Sequence, residues 1–338
     1  MSYLFKQHDL FKLSIIKHTH AKNIIKTNST NSTNSTNSTD STNSTNSTNS
    51  TNSINSTNSI NSTNSTNSIN STNSTNVNNN FDKQTIKTFD DTSLNSIINN
   101  YTEKVVIICP TCNRRKFLPF LIYMFNYQTY PKNLLKLIIL DDSDVSNSDI
   151  FNDLNVQIKE RILYIHSTDK YTIGYKRNLL NKMAQDMTAD YIACFDDDDY
   201  YPPNKISYAI TQLKNTGYLI CGSSTLPIYY TNLNIISIIG PFNNKIYCGH
   251  ATNGTLIYNI KYLENNSYNN DDKIGEEKYF LKNFKVSLLQ LDYQYVILCI
   301  AHNTNTVDKN KLNIINSNIK LSDIVVDDNL LNFYQNMC

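Results

Sequence analysis

Apolar and polar positions divide this chain into a first quarter with almost no hydrophobic pattern and a remainder with a strong one. From about Phe81 onward, short runs of β-branched and aromatic residues recur at Val105–Cys109, Leu137–Leu140, Ile162–Ile165 and Tyr191–Phe195. Such runs predict strands. Between them, apolar positions recur at helical spacing over Lys116–Tyr127 and Gly174–Met187, and weakly over Ser148–Leu154. Strands alternating with helices predict βαβ units and a mainly parallel sheet. After a helix expected near Pro202–Asn215 the texture changes. "YLICGSSTLPIYYTNLNIISIIG" reads as strands joined by tight turns, with Thr231–Asn234 as a hairpin loop. A last helix is expected to begin near Ser322, in "SDIVVDDNLLNFYQNMC". The fold class is α/β: one domain with a mostly parallel central sheet and a mixed C-terminal half.

Composition changes the picture chiefly at the N-terminus. From Thr27 to about Asn80 the chain is an Asn-Ser-Thr repeat broken by an occasional Ile or Asp. It buries almost no apolar area, so it cannot offset the roughly 1–2 kcal/mol of backbone entropy lost per ordered residue. A disordered tether is expected there. Its many N-x-T acceptor patterns matter only if the chain enters a secretory lumen. The leading residues 1–26 have scattered apolar and basic positions that suit a short basic helix. They lack the continuous apolar stretch of a signal peptide. No later run reaches the ~18 apolar residues of a membrane helix, so a soluble, cytoplasmic protein is expected. Thirty basic against twenty-nine acidic residues give no electrostatic reason to expect nucleic acid. The organisation is thus 1–26, the tether at 27–80, a domain at 81–310 and a helical tail at 311–338. Within the domain, a first half is expected at about 101–206 and a second at about 207–310.

Ligands of open α/β sheets bind outside the carboxyl ends of the strands. The first strand is followed there by Pro110-Thr111-Cys112-Asn113-Arg114, and the second by Asp141-Asp142-Ser143-Asp144. Gly174-Tyr175-Lys176-Arg177-Asn178 stands near the start of the third helix, and the fourth strand runs into "FDDDDYYPPNK". Cys109-Pro110-Thr111-Cys112 has the spacing and setting of a dithiol redox centre. The four-Asp run is equally distinctive. If extended, it points Asp196 and Asp198 one way and Asp197 and Asp199 the other. Carboxylates ~4 Å apart repel by ~4 kcal/mol at an effective dielectric near 20, so a cation is expected. Hard oxygen ligands suit Mg2+ or Mn2+. A solvated acidic loop is the alternative.

"VVIICPTCNRR…NYQTYPKNLLKLIILDDSD…GYKRNLLNKMAQDMTADYIACFDDDDYYPPNKI" resembles the nucleotide-binding half of family-2 glycosyltransferases. The elements P-T-x-N-R, Q-T-Y-P, D-D, K-R-N and D-x-D-D follow in the family's order. The resemblance is strong from Val105 to Ile206 and looser to His302. It implies the Rossmann-like GT-A fold and a nucleotide-diphosphate sugar as donor, a UDP-sugar first among them. Pro110, Thr111, Asn113 and Arg114 would line the nucleotide pocket together with Asp197. Asp141 would receive the base N–H, with Asp142 supporting it, and Lys176 and Arg177 would face base or diphosphate. A solvated helix face is the alternative for that basic pair. Asp196 and Asp198 would form the D-x-D metal pair, with His302 completing the shell, and Asp199 would contact sugar. Cys112 stands where the family usually has Tyr, so a ring that stacks on the base is missing. The Cys pair is then incidental to a nucleotide loop.

The resemblance also extends to the acceptor half. "YCGHATNGTLIYNIKYL" is similar to the acceptor-side segment, with His250 and Asn253 as sugar or acceptor contacts. Glu276-Glu277 stands where the family opens a helix with Glu-Asp, the Asp taking the acceptor's proton. Glu277 is the expected base, one methylene longer, with Glu276 beside it; a Glu-rich first helical turn is the alternative. The chain has no Trp, which excludes the Q-x-x-R-W signature of processive synthases. A metal-dependent, inverting, non-processive transferase is expected, its acceptor a glycan, protein or lipid-linked group. A non-catalytic sugar-nucleotide-binding module and a metal-dependent nucleotidyltransferase are the alternatives.

Overall fold

The computed structural model describes residues 14–15, 101–242 and 249–337. The tether at 27–80 lies outside them, and of the N-terminal basic segment only Ser14–Ile15 is described, as extended backbone. Among the described residues, ten strands follow residue 100. In chain order they are β1 (Val105–Thr111), β2 (Leu135–Asp141), β3 (Ile162–His166), β4 (Tyr191–Cys194), β5 (Ile220–Gly222), β6 (Leu226–Tyr230), β7 (Ile235–Ile239), β8 (Ile257–Asn259), β9 (Leu289–Gln290) and β10 (Cys299–Ala301). The helices are α1 (Leu118–Tyr127), α2 (Val156–Lys159), α3 (Ile173–Asp186), α4 (Lys205–Thr216), α5 (Glu277–Phe280), α6 (Leu321–Ile324) and α7 (Asp328–Gln335).

All seven residues of β1 are buried, which a strand achieves only when both faces of the sheet are covered. It pairs in parallel with β2 on one side and β4 on the other. The sheet order is β3-β2-β1-β4-β8-β5-β9, with Ser14 opposite His166 on the outer edge of β3. Strands β1 to β4 are parallel, while β8 runs antiparallel between β4 and β5. Val105, Ile107 and Cys109 of β1 face α1, α4 and α7; Val106 and Ile108 face α3. The period of two thus feeds two apolar layers. A second sheet, β10-β6-β7, carries the hairpin at Thr231–Asn234, where Asn234 takes φ 52°.

Local chemistry sets the ends of the elements. Thr172 caps α3 by accepting from the Tyr175 N–H at 3.3 Å. Helix α4 stops at Gly217, which adopts the left-handed conformation at φ 73°. The expected C-terminal helix is two pieces, because β-branched Val325 and Val326 leave the helix and Asp327 caps a new one. The weak helix at Ser148–Leu154 is a 3-10 turn at Ser148–Phe151 followed by α2. Among the described residues no helix is long and apolar enough to cross a membrane.

Candidate active site

Chain order reverses beside β1: β2 and β3 lie to one side, β4 to the other. Loops leaving the carboxyl ends of β1 and β4 therefore diverge, and a crevice opens between them. A cleft of about 440 Å³ lies there, walled by Pro110–Cys112, Arg114, Lys176, Arg177, Asp196–Asp199, Asn253 and Glu276–Glu277. Residues expected from opposite halves of the chain thus share one cavity.

The four aspartates do not alternate. The chain bends after Cys194, and each carboxylate finds a different partner. Asp196 Oδ1 accepts from Arg177 Nη2 at 2.8 Å. Asp197 Oδ2 accepts from the Thr111 hydroxyl at 2.5 Å. Asp198 Oδ2 accepts from Arg114 Nη1, from His302 Nε2 at 3.0 Å and from Asn305 Nδ2 at 3.2 Å. Asp199 Oδ1 accepts from the Ile300 N–H at 2.9 Å and lies 3.9 Å from Lys309 Nζ. Arg114 also lies 3.5 Å from Asp197. Burial, then the Asp198 charge, pushes the Asp197 carboxyl well above the usual range. For Asp198 burial pushes upward as well, but the His302 hydrogen bond and the Lys309 and Arg114 charges outweigh it and hold the group below. Much of the cation that the acidic run demands is thus the protein's own.

Two carboxylate oxygens remain toward the cleft. Asp196 Oδ2 and Asp198 Oδ1 accept no hydrogen bond among the described residues. Gly254 lets the backbone pass close to the first: a Cβ added there would stand 2.9 Å from Asp196 Oδ2. Two hard oxygens suit a small divalent cation whose remaining positions go to water and phosphate. Among the described residues no three His, Cys, Asp or Glu side chains converge on one point, so the protein offers two ligands rather than a cage. His302 Nε2 is turned to the other Asp198 oxygen, Oδ2, at 3.0 Å. Thr304 donates its backbone N–H to Nδ1 at 3.2 Å, which leaves the ring proton on Nε2, facing Asp198. In this structure the Nδ1 lone pair accepts from Thr304 and Nε2 faces the carboxylate, so His302 holds Asp198 in place.

Other expected residues sort by burial. Asp141 is fully buried and its oxygens accept from Ser143 N, Ser143 Oγ, Asn147 Nδ2 and Tyr164 OH. In this structure its two oxygens already have four donors, and it braces the loop after β2. Asp142 accepts from Lys176 Nζ at 2.6 Å and from the Tyr171 N–H at 2.9 Å. Lys176 and Arg177 are buried and ion-paired, not a solvated helix face. Asn113, at φ 55°, clips its loop to Asp144 and lies outside the cleft. His250 is also outside it, packed between Phe242 and Phe284 with centroids at 5.1 and 4.6 Å.

Across the cleft, Glu276 accepts from Arg177 Nε at 2.7 Å and from Asn253 Nδ2 at 2.9 Å. Glu277 opens the single turn of α5 and makes no ion pair among the described residues. Burial, then the Glu276 charge, raises its pKa to about 7. The cysteine pair lacks the surroundings of a reactive thiolate. Both thiols are free, and burial pushes both upward, Cys112 further so by Asp142, which is opposite to what a reactive thiolate needs.

Some residues on or behind these walls carried no sequence signal. Lys205 is fully buried, its Nζ between the carbonyls of Cys194 at 3.1 Å and Gly254 at 2.5 Å and 4.0 Å above the Tyr201 ring. Burial lowers its pKa to about 7. Tyr171 puts an aromatic ring on the wall that also holds Cys112. Asn305 and Lys309 arrive from a loop far along the chain.

Residues 106–263 match the model of Glycosyl transferase family 2. No curated protein matches the chain at a significant level. Among solved structures, S. aureus TarS 1–349 in complex with UDP is similar at 16% identity and a TM-score of 0.42, over 58% of this chain and 60% of that one. The mannosyltransferase PcManGT from Pyrobaculum calidifontis, in complex with GDP-Man and Mn2+, is similar at 13% identity and a TM-score of 0.47, over 61% and 59%. This chain spans 36% of the longer TarS structure.

Proposed function

We propose, from the premise that residues 106–263 make this chain a family-2 glycosyltransferase of GT-A fold, that it moves one sugar from a nucleotide-diphosphate sugar to an acceptor hydroxyl with inversion. The observation that carries this reading is the shared cleft. The D-x-D carboxylates and a carboxylate with a pKa of about 7 face one cavity at the switch point of the sheet. A donor diphosphate at Asp196–Asp198 and an acceptor at Glu277 would meet there.

Glu277 is the general base: as the acceptor oxygen attacks the anomeric carbon, its proton passes to the Glu277 carboxylate. The bond to the diphosphate breaks on the opposite face, so the anomeric centre inverts. Arg177 holds Asp196 on the donor side and Glu276 on the acceptor side, which fixes the distance between the two reacting partners. Lys176 holds Asp142 under the nucleotide loop and also donates to the Thr111 carbonyl at 3.1 Å. Asp196 and Asp198 would hold a divalent cation, which would supply Lewis-acid stabilisation of the departing diphosphate.

The test is a thermal-shift titration of the full chain with UDP, GDP, CDP and dTDP, each with and without Mn2+. A ligand at 100 times its dissociation constant stabilises the fold by about 2.7 kcal/mol. One nucleotide is expected to raise the melting temperature only with metal, and Asp198→Asn to abolish that rise. Absence of any shift for any nucleotide overturns the reading; binding without turnover of any sugar nucleotide would leave a non-catalytic module.

A further inference from the structure

Asp198 Oδ2 is crowded by three donors, Arg114 Nη1, His302 Nε2 and Asn305 Nδ2. They are not equally fixed. His302 is anchored by Thr304 at Nδ1, and Asn305 is anchored by the Ile300 carbonyl at 3.1 Å. Arg114 has little to hold it apart from the aspartates. Its Nη2 reaches Thr306 only at 3.4 Å, and its guanidinium lies 5.8 Å from the Phe117 ring. Its side chain is 14% exposed at the cleft wall, against 3% for the doubly paired Arg177. It follows Asn113, an exposed loop residue at φ 55°. Of the two guanidiniums on the acidic run, one is locked and the other is positioned to leave.

We infer that Arg114 is a resident counter-cation of the Asp197–Asp198 pair, which a divalent metal ion displaces when it binds Asp198. A guanidinium and a divalent ion on one carboxylate repel strongly at the effective dielectric of a partly buried cleft, so the two occupy Asp198 in turn. While the metal is absent, Arg114 keeps two adjacent buried carboxylates from facing each other unneutralised. Once displaced, the guanidinium remains on the cleft wall, where a phosphate oxygen is its natural partner. The inference rests on the metal reading above.

The experiment is Mn2+ binding to the full chain without nucleotide, followed by the electron paramagnetic resonance signal of free Mn2+. Arg114→Gln is expected to bind Mn2+ about tenfold tighter than wild type or more, Arg114→Lys to stay close to wild type, and Asp198→Asn to lose binding. If Arg114→Gln binds no tighter than wild type while Asp198→Asn still abolishes binding, the inference is overturned and the metal reading stands. If neither wild type nor Arg114→Gln binds Mn2+, both are overturned. Should Arg114→Gln fail to fold, phenylglyoxal labelling of wild type decides: Mn2+ is expected to speed modification of Arg114, read by peptide mass, and equal or slower labelling overturns the inference.

Discussion

Glu276 and Glu277 are adjacent and identical, and their surroundings give them different work. Glu276 is pinned by Arg177 and Asn253, whereas Glu277 is left beside it with its pKa raised to about 7 by burial and by the neighbouring charge. A general base works best when its pKa lies near the working pH. Glu277→Gln is therefore expected to lower kcat by about 10²–10⁴-fold while leaving the nucleotide-induced melting shift intact. The sign of the pH dependence follows from the base being active only when deprotonated. Below the raised pKa the proton occupies the site, so log kcat/KM should fall with unit slope below about pH 7 and level off above it. A profile still flat at pH 5 would remove Glu277 from the role. The order of residues pointed to this glutamate, but only the packing shows why its neighbour is unsuited.

The approach of helix α3 to the segment that follows β8 sets where Lys176 and Arg177 stand. Gly174 allows it: a Cβ there would lie 1.9 Å from the Asn269 carbonyl oxygen and 3.0 Å from its carbon, and backbone cannot yield as a side-chain tip can. The Gly174 N–H also donates to the Asp272 carbonyl at 3.1 Å. Gly174→Ala is expected to cost about 1–3 kcal/mol by overpacking, measured by urea unfolding, and to weaken nucleotide binding by displacing the basic pair. Unchanged stability would mean that the loop moves aside freely. The glycine was visible in the sequence, but its neighbour, almost a hundred positions away, was not. The same contrast runs through the fold. Strands β1, β2 and β4 were legible because their apolar runs are almost wholly buried, on both faces, and need no partner to be recognised. Strand β3 was legible from its β-branched and aromatic run, though only Tyr164 and Ile165 are buried. Strands β8 and β9, of three and two residues, exist only through pairing with β4 and β5. The aspartate run misled for a related reason: alternation holds along a strand, and the strand ends at Cys194, before the first of them.

At the scale of the whole molecule, a parallel half and a mixed half meet across the cleft, and a buried arginine joins them. Arg177 is 3% exposed and pairs with Asp196, which leaves the parallel half, and with Glu276, which belongs to the other. Taking these charges from water is costly, so the pairing is weak grounds for stability by itself, yet removing one member leaves the others without compensation. Arg177→Met is expected to destabilise by about 3–5 kcal/mol, toward the lower figure because the Asp196 side chain is 32% exposed and partly solvated. Arg177→Lys should not rescue it, since a single ammonium cannot reproduce the planar fork that reaches both carboxylates. The decisive measurement is a double-mutant cycle in urea with Glu276→Leu. If the arginine couples the halves, the double variant should be more stable than the sum of the single losses allows, because neither buried charge is then left alone. Simple additivity would mean that the halves are held by apolar packing, with Arg177 serving only to aim Asp196.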